Sequence, residues 1–183
     1  MARRIAYIGD PVLTLAEVAF QCRIEPEDME PELVEQVIIP GVTAQAETKT
    51  GAGVRRATYE EHWPASFAAG QALDRGQVIQ IDSVVLLNAD GSDSDQPVPF
   101  RLRKGSHEDF LDFPNGRPSG ALRIQYQAGT DLDVHPGVRS WMLMSAATAY
   151  KQRETLVLGQ TLFELPRSFL DTLLADITVP PRF

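Results

Sequence analysis

The sequence predicts an α+β fold, a helical bundle with an inserted small antiparallel β region and a C-terminal arm. Apolar residues recur at helical spacing near both ends of the chain, and β-branched residues concentrate in its middle. Prolines and glycines set off the last segment. We expect one main domain over residues 1–164, with helices at 14–51 and 136–155, a β region at 54–128, and an arm at 165–183.

Composition and charge exclude several classes of protein. With 183 residues, 43% of them hydrophobic, the chain can bury a core and is not globally disordered. Its net charge of −8 disfavours a free-standing binder of bare DNA. No apolar run approaches the roughly 20 residues of a membrane helix, and the N-terminus lacks the pattern of a signal peptide. The single cysteine, Cys22, can form neither an internal disulfide nor a zinc site.

The N-terminal third predicts two helices. Thr14 and Glu17 have the spacing of a capping box, and the helix that they open is expected to end at Pro26. The tract 25–35 holds six acidic residues and no basic one, which indicates a solvated acidic turn rather than a calcium loop, because EF-hand ligand spacing is missing. A second helix begins near Glu32, and Pro40-Gly41 predicts a kink or break in it.

The middle of the chain predicts strands separated by turns. A weak strand is expected over 54–59 and a strong one over 77–87, followed by a turn at 88–91 and a polar loop at 92–96. Residues 98–103 are expected to form the return strand, and a further strand follows at 110–113. The clearest alternation of small or apolar with polar residues is at 121–126, which predicts the best strand in the chain.

The last third predicts a long helix and a separate short one. Pro136 suits a first helical turn, and an apolar stripe continues to about Glu154. After Gly159 and Pro166, a second apolar stripe at helical spacing leads to an aromatic terminus. The members of this stripe and terminus, which we expect to dock on another protein with self-packing as the alternative, are Phe169, Leu170, Leu173, Leu174, Ile177 and Phe183.

The sequence offers little for catalysis. No phosphate-binding loop or nucleophile elbow is present, and the three histidines (His62, His107 and His135) are far apart. Two carboxylate-containing loops, His107 to Asp112 and Asp90 to Asp95, have residue types that bind metals, but each is better explained as a solvated loop or hairpin tip. We therefore expect no enzyme activity, no cofactor and no metal.

The order of these segments resembles a known family. Residues 73–84 with the turn at 88–91, residues 124–129, and the helix from 136 to 154 are similar, in order and spacing, to segments of the tailed-phage head-to-tail connector (adaptor) proteins, the gp6-like and phage gp8-like connector family. The opening at 13–17, the acidic turn before the second helix, and Leu165-Pro166 are similar to further segments. The resemblance covers residues 13–177.

The resemblance implies a structural virion protein. Members form a ring, usually a dodecamer, below the portal, where they join the head to the tail and extend the DNA channel. The implied partners are copies of this chain, the portal protein, and a stopper or tail-completion protein. DNA would pass without sequence-specific binding, which an acidic channel wall favours by repelling phosphates. The implied location is the neck of the virion, after synthesis in the host cytoplasm.

A ring needs two different complementary patches on each subunit, because its contacts are heterologous. We expect one of them on the long C-terminal helix, at Met144, Tyr150 and Arg153, and we regard Trp63 and Trp141 as side chains of an interface type. The alternatives are another neck or tail-completion protein and, from a different class, a small metal-dependent hydrolase using the His107 loop.

Overall fold

The computed structural model describes residues 1–152 and 167–181 of the chain. The chain divides into two compact units. The sheet unit comprises Met1–Asp10, Gly51–Thr130 and Ile177–Phe183, and the helical unit comprises Pro11–Thr50 and Asp131–Asp176. Two residues with expected roles, Arg153 and Phe183, lie outside the described residues.

The sheet unit is built on a five-stranded sheet and a separate hairpin. Along the sheet, the order of the strands is β1-β2-β7-β3-β4, and each neighbouring pair is antiparallel. Strands β5 and β6 pair with each other in a second, two-stranded sheet. The strands are β1 (Arg3–Tyr7), β2 (Ala57–Trp63), β3 (Val78–Leu87), β4 (Asp93–Pro97), β5 (Arg101–Lys104), β6 (Asp109–Asp112) and β7 (Ala121–Ala128).

Strand β7 lies at the centre of the sheet, and its sequence explains why. Every second residue, from Leu122 to Ala128, is buried, whereas the residues between them are partly exposed. This alternation lets one face of the strand pack in the core while β2 and β3 pair along its two edges. The rings of Tyr59 and Tyr126 stack with centroids 5.8 Å apart, and Trp63 is fully buried beside them in the same cluster.

The β region differs from the sequence prediction at three places. The N-terminal residues form β1, whose short, arginine-containing sequence carries no alternating pattern to predict a strand. Residues 92–96, expected to be a loop, largely form β4, which pairs with β3. The return strand expected over 98–103 is instead the shorter β5, and it pairs with β6, because β4 already occupies the edge of β3.

The first helix of the helical unit, α1 (Leu15–Cys22), has the expected capping box. The backbone N–H of Glu17 donates to the Thr14 hydroxyl at 3.3 Å, and the Thr14 N–H donates to the Glu17 carboxylate at 2.8 Å. The helix ends at Cys22, earlier than the expected Pro26, because Arg23 adopts a left-handed conformation with φ of 59°. The six acidic residues of the tract 25–35 are exposed or nearly so around a 3₁₀ turn, Pro26–Asp28.

The second helical segment passes through Pro40-Gly41, so the expected break is wrong. It runs as α2 (Pro31–Leu33), a π-helical stretch (Val34–Ile38) and α3 (Ile39–Thr50). The ring of a proline clashes with the carbonyl four residues before it, and for Pro40 that residue is Gln36, within the π-helical stretch. The wider turn, in which the Ile39 N–H donates to the Val34 carbonyl, accommodates the proline without ending the helix.

The C-terminal part of the helical unit contains α4 (Pro136–Lys151) and α5 (Arg167–Leu174), and a 3₁₀ turn, Ala175–Ile177, follows. As expected, Pro136 occupies the first turn of α4. The backbone of α5 lies directly against that turn, since a Cβ added to Gly137 would be 2.7 Å from the Leu173 carbonyl oxygen.

The helical bundle predicted from the sequence is wrong. The β region is no small insertion, because it forms a five-stranded sheet with a core of its own.

Among the described helices, none combines the length and the apolar composition that a membrane span needs.

Candidate functional site

The apolar stripe of the last helix is divided between burial and exposure. Leu174 and Ile177, at 3% and 0% exposure, are buried within the chain itself, and Leu170 and Leu173 are half-buried. Phe169 is 50% exposed. Self-packing therefore accounts for the distal part of the stripe, and Phe169 is the member that offers surface to another protein. Phe183, which is also expected to dock on another protein, lies outside the described residues.

The expected ring-interface residues of α4 differ in the same way. Tyr150 is buried at 8% exposure, whereas Met144 is half-buried. The two tryptophans regarded as interface residues are also buried within the chain, with Trp63 at 0% and Trp141 at 4% exposure. That interpretation is wrong for Trp63 and Trp141, because their indole rings complete internal cores.

An exposed aromatic residue that sequence reasoning missed lies on α1. Phe20 is 86% exposed and borders a groove of about 750 Å³ that Ala16, Ile24 and Pro26 also line. The signal was present, because Phe20 lies off the apolar stripe of α1 formed by Leu15, Val18, Ala19 and Cys22. A large apolar side chain that stays exposed on the polar face of a helix is a candidate for contact with another protein.

The two edges of the sheet carry opposite charges. Edge strand β1 contains Arg3 and Arg4 and no acidic residue, and Arg3 forms an ion pair with Glu60 of β2. Ile5, on the same strand, and Ile8, one residue after its end, are 48% and 49% exposed. At the other edge, the β3–β4 turn and β4 contain Asp90, Asp93 and Asp95 and no basic residue. The composition of β1, with arginine beside exposed isoleucine, is typical of the core of a protein–protein contact.

The side chains considered for metal binding have other roles. Asp90 accepts hydrogen bonds from Ser92 in the turn, Asp93 forms an ion pair with Arg123, and the Asp109 carboxylate accepts the Val78 N–H at 2.7 Å. The hydrogen bonds from Ser92 lower the pKa of Asp90. Across residues 1–152 and 167–181, no three His, Cys, Asp or Glu side chains come together in a geometry that could hold a metal ion.

Three donors converge on the buried carboxyl group of Glu61. The indole N–H of Trp63 donates at 2.6 Å, the backbone N–H of Asp74 at 3.0 Å and the hydroxyl of Tyr126 at 3.2 Å. Burial raises the pKa of Glu61, and the hydrogen bonds lower it in part. Burial, with the nearby Glu61 charge, also raises the pKa of Tyr126. Since this carboxyl is enclosed and its oxygens already accept hydrogen bonds, it stabilises the sheet unit and is poorly placed to transfer protons to a substrate.

No protein-family profile and no curated protein sequence matches the chain. Solved structures do match its fold. A chain from the "Virion of native gene transfer agent (GTA) particle" has a TM-score of 0.77 at 15% sequence identity, and the match covers 100% of this chain and 97% of that one. A chain from the "Neck of empty GTA particle computed with C6 symmetry" gives a TM-score of 0.72 at 16% identity, with the same coverage.

A third match is to a chain from the "Neck of native GTA particle computed with C12 symmetry", with a TM-score of 0.64 at 14% identity over 100% of this chain and 97% of that one. Identities of 14–16% establish a shared fold and no more. The fold of this chain is therefore that of a subunit found in the virion and neck structures of a phage-like particle.

Proposed function

We propose that this protein is a structural subunit of the neck of a phage or phage-like particle. In this role, copies of the chain form a ring below the portal that joins the head to the tail and extends the DNA channel. The observation that carries the proposal is the match over the full length of both chains, including two structures titled as necks. A match to an isolated supersecondary motif would leave most of the neighbour's chain uncovered, whereas here only 3% of that chain lies outside the match.

The symmetry of the neighbouring assemblies supports a ring. The two neck structures were computed with C6 and C12 symmetry, and a ring of twelve copies is compatible with both. The partners that we propose for such a ring are the portal protein on the head side and a stopper or tail-completion protein on the tail side.

The distribution of surface residues supports contacts without catalysis. The exposed apolar side chains Phe20 and Phe169, on the helical unit, are suited to contacts with the portal or the stopper. We keep Met144, Tyr150 and Arg153 as proposed contributors to the ring interface. The net charge of −8 favours passage of DNA through the channel without adhesion to the wall.

Deletion of the gene tests the proposal. In a strain whose particles contain the protein, we expect deletion to leave capsids and tails that form separately and do not join, as counted by negative-stain electron microscopy. A plasmid copy of the wild-type gene should restore joined particles. A triple variant with glutamine at His62, His107 and His135 should restore them equally well, because the proposal requires no catalytic histidine.

Two outcomes would contradict the proposal. Normal head–tail joining in the deletion strain would show that the neck does not need this chain. Joined particles that are restored by the wild type but not by a folded triple histidine variant would indicate chemistry instead of a structural role. Deletion heads that keep a complete neck ring but fail at a later tail step would favour the tail-completion alternative.

A further inference from the structure

We propose that neighbouring copies of this chain contact each other through the two opposite edges of the sheet, with the basic strand β1 of one copy against the acidic β3–β4 hairpin of the next. The inference rests on the proposed ring and deepens it, because it names the two complementary patches that a heterologous contact requires.

The position of the charges supports this pairing. Strands β1 and β4 are the first and last strands of the five-stranded order, so four strand spacings separate them, about 19 Å. The basic patch and the acidic patch therefore lie at opposite ends of one rigid sheet. Each copy can then present one patch to the copy before it and the other patch to the copy after it, which generates a ring when the rotation closes.

The charged side chains at both edges are accessible. On β1, Arg4 is exposed, and its guanidinium lies 4.1 Å from the centroid of the Tyr7 ring. Stacking on the ring restrains the arginine at the exposed edge of the sheet. On β4, Asp95 is exposed, while Asp93, two residues earlier, is paired with Arg123 of its own sheet.

The edges are built for contact through side chains and not for continuous strand pairing. The register of β1 shifts at Ile5, between Arg4 and Ala6, and β4 ends at Pro97, which has no N–H to donate. Both features prevent an uncontrolled extension of the sheet. The half-exposed side chains of Ile5 and Ile8 supply apolar area beside the arginines.

Exchange of charge between the edges tests the inference. The variants are Arg4→Glu, which places a carboxylate on β1 opposite Asp95 of the next copy, and Asp95→Arg, which places a guanidinium on β4 opposite Arg4. Association of the purified full-length protein is measured by sedimentation velocity and native mass spectrometry over a range of protein concentrations. Each variant alone should associate at least about tenfold more weakly than the wild type, because like charges would meet at positions 4 and 95 of every contact.

An equimolar mixture of the two variants should associate again. The carboxylate introduced at position 4 of one variant then faces the guanidinium introduced at position 95 of the other, and the remaining edges keep the original pairing. Native mass spectrometry should show equal numbers of the two variants in each complex. Wild-type association should weaken as the salt concentration is raised from about 50 mM to about 500 mM, since exposed charges are screened.

Matched controls use exposed charges away from the two edges. Arg101→Glu, on β5, and Glu27→Arg, in the acidic tract, change the net charge by the same amounts. They should leave association within about twofold of the wild type. Circular dichroism of every variant establishes that it is folded.

Three results would overturn the inference. These are oligomers that are insensitive to both edge variants, a mixture that fails to associate, and protein that remains monomeric at all concentrations. None of them removes the proposed neck role, which fails separately if the gene deletion leaves head–tail joining intact.

Discussion

At the scale of single residues, the carboxyl group of Glu61 connects three parts of the sheet unit. Its oxygens accept hydrogen bonds from Trp63 on the same strand, from Tyr126 on β7, and from the backbone of Asp74. The Asp74 carboxylate in turn accepts the Ala2 N–H at 2.5 Å. A change in the charge of Glu61 therefore affects the anchoring of both the loop before β3 and the start of β1.

The raised pKa of Glu61 predicts a pH dependence of stability. Burial raises this pKa above the ordinary 4.5, so the folded state holds a proton in a pH range where the unfolded state has lost it. The contribution of Glu61 to the free energy of unfolding is then fully present below pH 4.5 and is lost as the pH rises through the folded pKa.

The variant Glu61→Gln tests this dependence, because glutamine is uncharged at every pH. Urea unfolding followed by tryptophan fluorescence should show the stability of the variant rising relative to the wild type with pH. The slope within the titration range should be at most about 1.4 kcal/mol per pH unit. A difference between the two proteins that is constant from about pH 4 to about pH 8 would contradict the assignment.

Two residues of the last helix give a second prediction at this scale. Leu174→Ala should lower the free energy of unfolding by about 2–5 kcal/mol, because it leaves a cavity at a buried position. Phe169→Ala should change it by less than about 1 kcal/mol, because this side chain is half exposed. Equal losses in chemical denaturation would show that Phe169 is also part of the core and is unavailable to a partner.

If Phe169 contacts the portal, a comparison of Phe169→Ala with Leu174→Ala distinguishes an effect on docking from an effect on folding. Phe169→Ala should then reduce the recovery of the protein with purified heads while its thermal unfolding stays unchanged. Full recovery of Phe169→Ala with heads would exclude Phe169 from the docking surface.

At the scale of elements, the helical unit contains two glycines within helices that meet different surroundings. Around a Cβ added to Gly41, in α3, no atom lies within 4 Å. A Cβ added to Gly137, in the first turn of α4, meets the Leu173 carbonyl oxygen at 2.7 Å. Gly41 therefore lowers the stability of α3 although no close packing requires a glycine there, whereas Gly137 allows the backbone of α5 to approach α4 closely.

Alanine substitutions should therefore have opposite signs at these positions. Gly41→Ala should stabilise the protein by about 0.5–1 kcal/mol through reduced backbone entropy of the unfolded state. Gly137→Ala should destabilise it, because the contact is with backbone atoms that cannot rotate away. Thermal and urea unfolding measure both effects, and destabilisation by Gly41→Ala would indicate that the π-helical stretch before it needs a glycine.

The elements that could be predicted from the sequence are those with strong local signals. Thr14 and Glu17 specify their own hydrogen bonds, Pro136 has a fixed φ that suits the start of α4, and the alternation in β7 reports a half-buried central strand. The sequences of β1 and β4 carry no such local pattern. Each of these strands is stabilised by pairing with a neighbouring strand, β2 for β1 and β3 for β4. The continuous helix at Pro40 depends on a π-helical stretch that no local pattern indicates.

The candidate contact surfaces were predicted less well for a related reason. Large side chains such as Trp63 and Trp141 are equally suited to a core and to an interface, and the fold buries both. Phe20 could be identified because it lies off the apolar stripe of its helix. The opposite charges of the sheet edges become visible only when β1 and β4 are known to be edge strands.

At the scale of the whole molecule, the chain shares the fold of chains in gene transfer agent virion and neck structures. Its described residues hold no cluster suited to binding a metal. Exposed aromatic residues and charged sheet edges together provide more than the two patches that a ring subunit needs. These features are the physical basis for proposing a neck ring.

The most direct test of this proposal is a cryo-electron microscopy reconstruction of the neck in particles that contain the protein. The account predicts a closed ring of this chain, with twelve copies, between the portal and the tail. In that ring, the residues around Arg4 of one copy should lie near the β3–β4 hairpin of the next. A neck that contains no density for this chain, or copies of the chain bound elsewhere on the particle without a ring, would contradict the account.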